Sequence, residues 1–128
     1  MKVLVTGHRG RIGHVVEEVL VDAGHDVRGY DIEDGDDILD LDGLLAAAKD
    51  CGSVVHLAAI LRSDSDAVML GGNVTGTWNV LKAAEAVQAH RVVSFSSVNA
   101  IGIFLGERSP DYFPIDSAHP CYPSRAYG

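Results

Sequence analysis

Near the N-terminus a short apolar, β-rich run, Val3-Leu4-Val5, leads straight into Gly7, Gly10 and Gly13, and the pattern then turns helical. Strand, glycine turn and helix in that order leave few folds open. Glycines let the chain turn tightly and let another group come close to the backbone. The helix that follows offers unpaired N–H groups and a partial positive charge, which together suit a phosphate. Inside a β-α-β unit this is the arrangement a dinucleotide needs, and it is the context rather than the glycines alone that makes the signal strong.

The rest of the chain supplies that context. Strand one covers about Lys2 to Val5. A helix from about Arg11 to Ala23 places Ile12, Val15, Val16, Val19, Leu20 and Ala23 on one face. Strand two runs from His25 to Tyr30, an acidic loop from Asp31 to Asp40, and a second helix from Leu41 to Lys49. Strand three is Ser53 to Leu57. After a polar loop, Arg62 to Asp66, a long helix runs to about Ala89, and strand four is Arg91 to Phe95. Strands alternating with helices predict an α/β fold, a Rossmann-type doubly wound parallel sheet forming one domain over residues 1–128. Right-handed crossovers predict the strand order 3-2-1-4, with functional residues gathered at the C-terminal strand ends near the switch point between strands one and four.

Asp31 closes strand two, where a carboxylate accepts hydrogen bonds from adenosine ribose hydroxyls and repels a 2′-phosphate; this points to NAD over NADP. Arg28 is nearby, but its alternation with Val27 puts it on an exposed strand face. Asp37 and Asp40 belong to an acidic run whose plain reading is a solvated loop. The sharper reading has Asp37 accepting from the adenine amino group and the Ile38 backbone meeting the ring edge. His56-Leu57-Ala58-Ala59 ends strand three with small residues, which let a flat cofactor pass close to the backbone. His56 itself lies in an apolar strand with no evident partner and reads as structural rather than catalytic. No histidine has metal-ligand spacing. Asn73, near the start of the long helix, is a cap or an orienting group beside the cofactor. Val74, Trp78, Leu81 and Ala84 form one apolar stripe on that helix, and Val80, Ala83 and Val87 a second. One stripe can cover the sheet; the other has no assigned neighbour and predicts a homodimer. Ser96 and Ser97 end strand four, and Tyr127 follows later. A serine hydroxyl can hold a substrate oxygen, and a tyrosine of lowered pKa can move the proton that accompanies hydride transfer.

A net charge of −8 argues against nucleic-acid binding, which wants basic patches. No apolar run is long enough to span a membrane. The chain opens directly on a core strand, so no signal peptide is expected, and Cys51 and Cys121 read as reduced thiols of a cytoplasmic protein.

Taken together, these motifs resemble the extended short-chain dehydrogenase/reductases, in particular their NAD-dependent epimerase/dehydratase branch. Thr6-Gly7-x-x-Gly10-x-x-Gly13 is similar to that family's cofactor fingerprint, with Arg9, Arg11 and Ile12 placed against the cofactor between the glycines. Asp37-Ile38 matches its adenine-contacting pair. His56-Leu57-Ala58-Ala59 matches its strand-three motif and Asn73-Val74-x-Gly76-Thr77 the helix beyond it. Ser96-Ser97-Val98-Asn99-Ala100-Ile101-Gly102 resembles its serine motif, with Ser97 in the catalytic place and Ile101 where a tyrosine is usual. Tyr122 to Gly128 looks like the approach to its Tyr-x-x-x-Lys motif, with Tyr127 as acid/base and Tyr122 as runner-up. The resemblance implies NAD as cofactor and hydride transfer at a hydroxyl carbon of a sugar or nucleotide-sugar. It also implies a lysine beyond Gly128 and a further substrate region, so the chain is expected to be the N-terminal half of a longer enzyme, inactive alone. Two other readings remain at this stage: a non-catalytic NAD-sensing or scaffold module, and, with less support, a flavodoxin-like or mononucleotide-binding domain.

Overall fold

The structure, a computed structural model, describes residues 1–103 and 108–122. Four parallel strands form one sheet: β1 (Lys2–Thr6), β2 (Asp26–Tyr30), β3 (Ser53–His56) and β4 (Arg91–Ser94). Their connections carry α1 (Arg11–Asp22), α2 (Leu41–Ala48), α3 (Asp66–Leu70) and α4 (Gly76–Ala86). The two central strands, β1 and β3, are apolar on both faces, as strands covered on both sides require, whereas the outer strands β2 and β4 carry exposed polar residues such as Asp26 and Arg91. Leu4 and Val54 point to one side and join Tyr30, Leu44, Ala47, Val80 and Ala83 in a core under α2 and α4. Val3, Val5 and Val55 point to the other, where Val16 and Leu20 of α1 pack on them. Among the described residues no helix is long and apolar enough to cross a membrane.

The parallel α/β architecture is as the sequence predicts, but the strand order is not. It is β2-β1-β3-β4, rather than 3-2-1-4. The reason lies in which face each helix takes. A right-handed crossover moves the chain one way when its helix lies on one face and the opposite way when it lies on the other. With α1 on one face, the chain steps from β1 to β2. With α2 on the opposite face, it steps back past β1, so β3 pairs with β1 at Val3↔Ser53 through Thr6↔His56. The helix α4 shares the α2 face and continues the same way to β4. The switch point therefore falls between β1 and β3, not between strands one and four.

Two further expectations change. The long third helix carries a π turn within a continuous helical course: Ser65 caps α3 by accepting from the Val68 N–H, and the π turn, Gly71–Thr75, joins α3 to α4 with helical dihedrals at both ends. In α1 the apolar face is wider than the sheet beneath it, and Ile12, Val15 and Val19 are exposed. The second stripe of α4 is the inward one, joined by Ala84, whereas Val74, Trp78 and Leu81 remain exposed.

Candidate functional site

Register places Thr6, Tyr30, His56 and Ser94 in one row across the sheet. The four loops that follow them leave from the same edge, and Gly7, Arg9, Gly10, Asp31, Asp37, Ile38, Leu57, Ala58, Ala59 and Ser97 lie on those loops. The Gly7 N–H donates to the Tyr30 carbonyl at 2.9 Å and the Gly10 N–H to the Gly7 carbonyl at 3.1 Å, closing the first loop. Gly7 has φ +75°, and a Cβ there would stand 2.6 Å from the Ala58 nitrogen. At Gly13 a Cβ would stand 2.0 Å from the Gly7 oxygen. Glycine loop, α1 and β3 loop thus meet backbone to backbone, leaving the cradle free of side chains. Gly10 is the cap of α1 and offers no side-chain acceptor, and no acidic residue lies in the first turn. The N–H groups of the Arg11-Ile12-Gly13 turn are therefore free to take an anion.

Asp31 is buried beside this loop. Its Oδ2 accepts from the Arg9 N–H and its Oδ1 from the Glu33 N–H, both at 3.0 Å. A carboxylate held by two backbone donors is fixed in place and still has lone pairs for two hydroxyls. The residues present thus fit a dinucleotide: a bare glycine cradle, an open helix N-terminus and a set carboxylate.

At the other end of the edge is a cleft of about 270 Å³ lined by Leu57, Ala58, Ala59, Asn73, Thr77 and Ser97 among others. Ser97 Oγ accepts from the Asn99 N–H at 3.2 Å, which fixes its position and leaves its own proton free to donate. Asn73 lies just ahead of α4 but caps no helix; it sits in the π turn and braces Ile60, accepting from its N–H at 2.7 Å and donating to its carbonyl at 3.0 Å. Asp37 is exposed and accepts from the Leu39 N–H at 2.8 Å, while the Ile38 carbonyl accepts from Asn79 at 3.1 Å. Tyr127 lies outside the described residues. Its runner-up, Tyr122, donates to Asp111 at 2.7 Å, and this bond raises its pKa, the wrong direction for an acid/base.

Two histidines of the site have partners that the sequence does not show. His56 has two partners: Nδ1 bonds the Thr6 hydroxyl at 2.7 Å and Nε2 the Thr77 hydroxyl at 2.9 Å. A neutral imidazole, one donor and one acceptor, satisfies both hydroxyls, which supports the structural reading. His8, inside the glycine loop, bonds Glu17 through Nδ1 at 2.8 Å and Asp34 through Nε2 at 2.7 Å. The two rings titrate in opposite directions. Burial pushes His56 below the ordinary 6.5. At His8 burial also disfavours the charge, but the hydrogen bonds and charges of Glu17 and Asp34 together outweigh it and raise the pKa. By linkage, His56 contributes stability above 6.5 that is lost as the pH falls through its lowered pKa. His8 contributes stability below 6.5 that is lost as the pH rises through its raised one. An NMR titration of the ring protons is expected to find the two midpoints on opposite sides of 6.5; coincident midpoints would refute this account.

Such an edge, with its glycine cradle and carboxylate at the C-terminal ends of a parallel sheet, defines the dinucleotide-binding α/β proteins as a class. Over residues 3–128 the chain matches the model of the NAD-dependent epimerase/dehydratase family, and it belongs to that family. It is 35% identical to cinnamoyl-CoA reductase 1 of Oryza sativa subsp. japonica, over 85% of this chain and 38% of that one. It is 26% identical to a uronate dehydrogenase of Pseudomonas syringae pv. tomato, over 99% of this chain and 49% of the relative. Among solved structures, a short-chain dehydrogenase/reductase superfamily protein from Agrobacterium tumefaciens with bound NAD superimposes with a TM-score of 0.86 at 31% identity, covering 99% of this chain and 40% of that one. A Bordetella bronchiseptica enzyme in complex with NAD and UDP gives 0.85 at 26%, covering 98% and 45%. The chain thus spans less than half the length of these relatives.

Proposed function

We propose that this chain is the NAD-binding portion of an oxidoreductase or epimerase acting at a hydroxyl carbon of a sugar or nucleotide-sugar. The observation that carries the reading is the Asp31 carboxylate, fixed by the Arg9 and Glu33 N–H groups beside the bare Gly7-Gly10-Gly13 cradle. In this reading the α1 N-terminus binds the pyrophosphate, Asp31 binds the adenosine ribose, and Asp37-Ile38 meets the adenine. Leu57-Ala58-Ala59 forms the floor on which the cofactor lies, and Asn73 keeps that floor in place through Ile60. NAD, when bound, supplies a two-electron hydride acceptor. Ser97, at the far end of the same edge, donates its free proton to a substrate oxygen and orients it, and Tyr127 exchanges the hydroxyl proton. The relatives named for uronate dehydrogenation and for NAD and UDP binding support a sugar-type substrate. The exposed Val74-Trp78-Leu81 stripe is where a second copy packs in this reading.

Calorimetric titration of NAD into the chain tests the first step. A dissociation constant below about 1 mM, equivalent to about −4 kcal/mol, is expected. No heat of binding at several times that concentration, or tighter binding of FMN than of NAD, would overturn the reading.

A further inference from the structure

Arg9 lies beside the proposed adenosine-ribose position, since its own N–H touches the Asp31 carboxylate. An arginine in such a place is what a 2′-phosphate needs. Here the guanidinium is turned away. Nε lies 3.1 Å from each Asp34 carboxylate oxygen and Nη2 lies 2.9 Å from Oδ1. The same Asp34 takes the second cation of the loop, His8, whose other nitrogen is held by Glu17. Asp34 thus takes up the Arg9 charge, and no cation is left facing Asp31 from this loop.

We propose that Asp34 is a specificity-determining residue, which keeps NADP out by holding Arg9 away from the place a 2′-phosphate would occupy. The inference rests on NAD binding as proposed above and goes beyond it: Asp31 repels the phosphate, and Asp34 denies it a counter-charge. Geometry makes the hold easy to release. Arg9 is largely exposed, so its side chain meets no packed neighbour on leaving Asp34. Asp34 ends a short turn, Ile32–Asp34, whose cap is made by Asp31 and not by the Asp34 side chain.

The test is the ratio of NADP to NAD affinity, measured by calorimetry at low ionic strength on the full chain. Asp34→Asn is expected to shift the ratio toward NADP by about tenfold, the effect of one well-placed charged contact. Asp34→Ser removes the same carboxylate in a turn that suits serine and serves if the amide variant folds poorly. Glu17→Gln breaks the His8 pair without freeing Arg9 and is expected to leave the ratio unchanged. The double variant Asp34→Asn/Arg9→Ala is expected to lose the gain. If the native chain binds NAD and neither Asp34 variant moves the ratio, or if the gain survives loss of Arg9, this inference fails and the NAD reading stands. If the native chain binds no NAD, both fail.

Discussion

Replacing Gly13 by alanine is expected to weaken NAD binding by about 100-fold, or about 2.7 kcal/mol, and to lower stability by about 2–3 kcal/mol. The added methyl would stand 2.0 Å from the Gly7 oxygen and 2.6 Å from the His8 Cα. Both are backbone atoms, so no side chain can rotate out of the way. Relief requires α1 to move off the glycine loop, and that movement withdraws the helix N-terminus from the position where it meets the pyrophosphate. Gly71→Ala is the matched control, because its backbone is already helical and nothing lies within 4 Å of the added carbon. The pair separates a local steric effect from a general intolerance of the fold to alanine. Calorimetry and thermal melting of both variants decide it. A Gly13→Ala protein that binds NAD as the native chain does would remove the glycine cradle from the site.

Asp31→Ala is expected to have an effect of similar size, by different physics. The carboxylate has two partners in the protein and, in the proposed reading, two more on the ribose. Its removal leaves the Arg9 and Glu33 N–H groups without their acceptor, costing about 1–3 kcal/mol in stability. Loss of charge-assisted bonds to the ribose weakens NAD about 100-fold in addition. NADP, whose 2′-phosphate that carboxylate repels, is expected to bind no more weakly than before, so discrimination between the dinucleotides collapses. Asp31→Asn keeps the shape and one acceptor, and so falls between. An Asp31→Ala chain that binds NAD within about threefold of native, a difference of about 0.7 kcal/mol, would place the ribose elsewhere.

How far the sequence could be read depends on the range of each interaction. The glycine loop, its strand and Asp31 were legible because their meaning lies in local order: a strand end, a backbone turn, a helix start. Sheet order was not. It depends on which face each helix chooses, and strands such as Val3-Leu4-Val5 are apolar on both faces and do not declare one. Asn73 was legible as a residue of interest but not as a brace, because a π turn between α3 and α4 has no clear composition. His8 gave no signal at all. Its partners, Glu17 on α1 and Asp34 beyond β2, come from separate elements that only the folded loop brings together. Tyr30 is a similar case: it reads only as the end of strand two, and nothing local shows that its hydroxyl would donate to the Asp37 carbonyl.

The crowding behind His8 also limits which sequences can inherit its ion pairs. A Cβ at Gly29 on β2 would lie 2.4 to 2.6 Å from three atoms of the imidazole ring. A side chain at position 29 therefore displaces the His8 ring, whether the ring rotates aside or is replaced by something small, and Glu17 and Asp34 then lose the partner they share. Positions 8, 17, 29 and 34 are thus bound to drift as a set. Sequence change in this neighbourhood should come in concerted jumps, and each jump would reopen the question of which dinucleotide the site accepts.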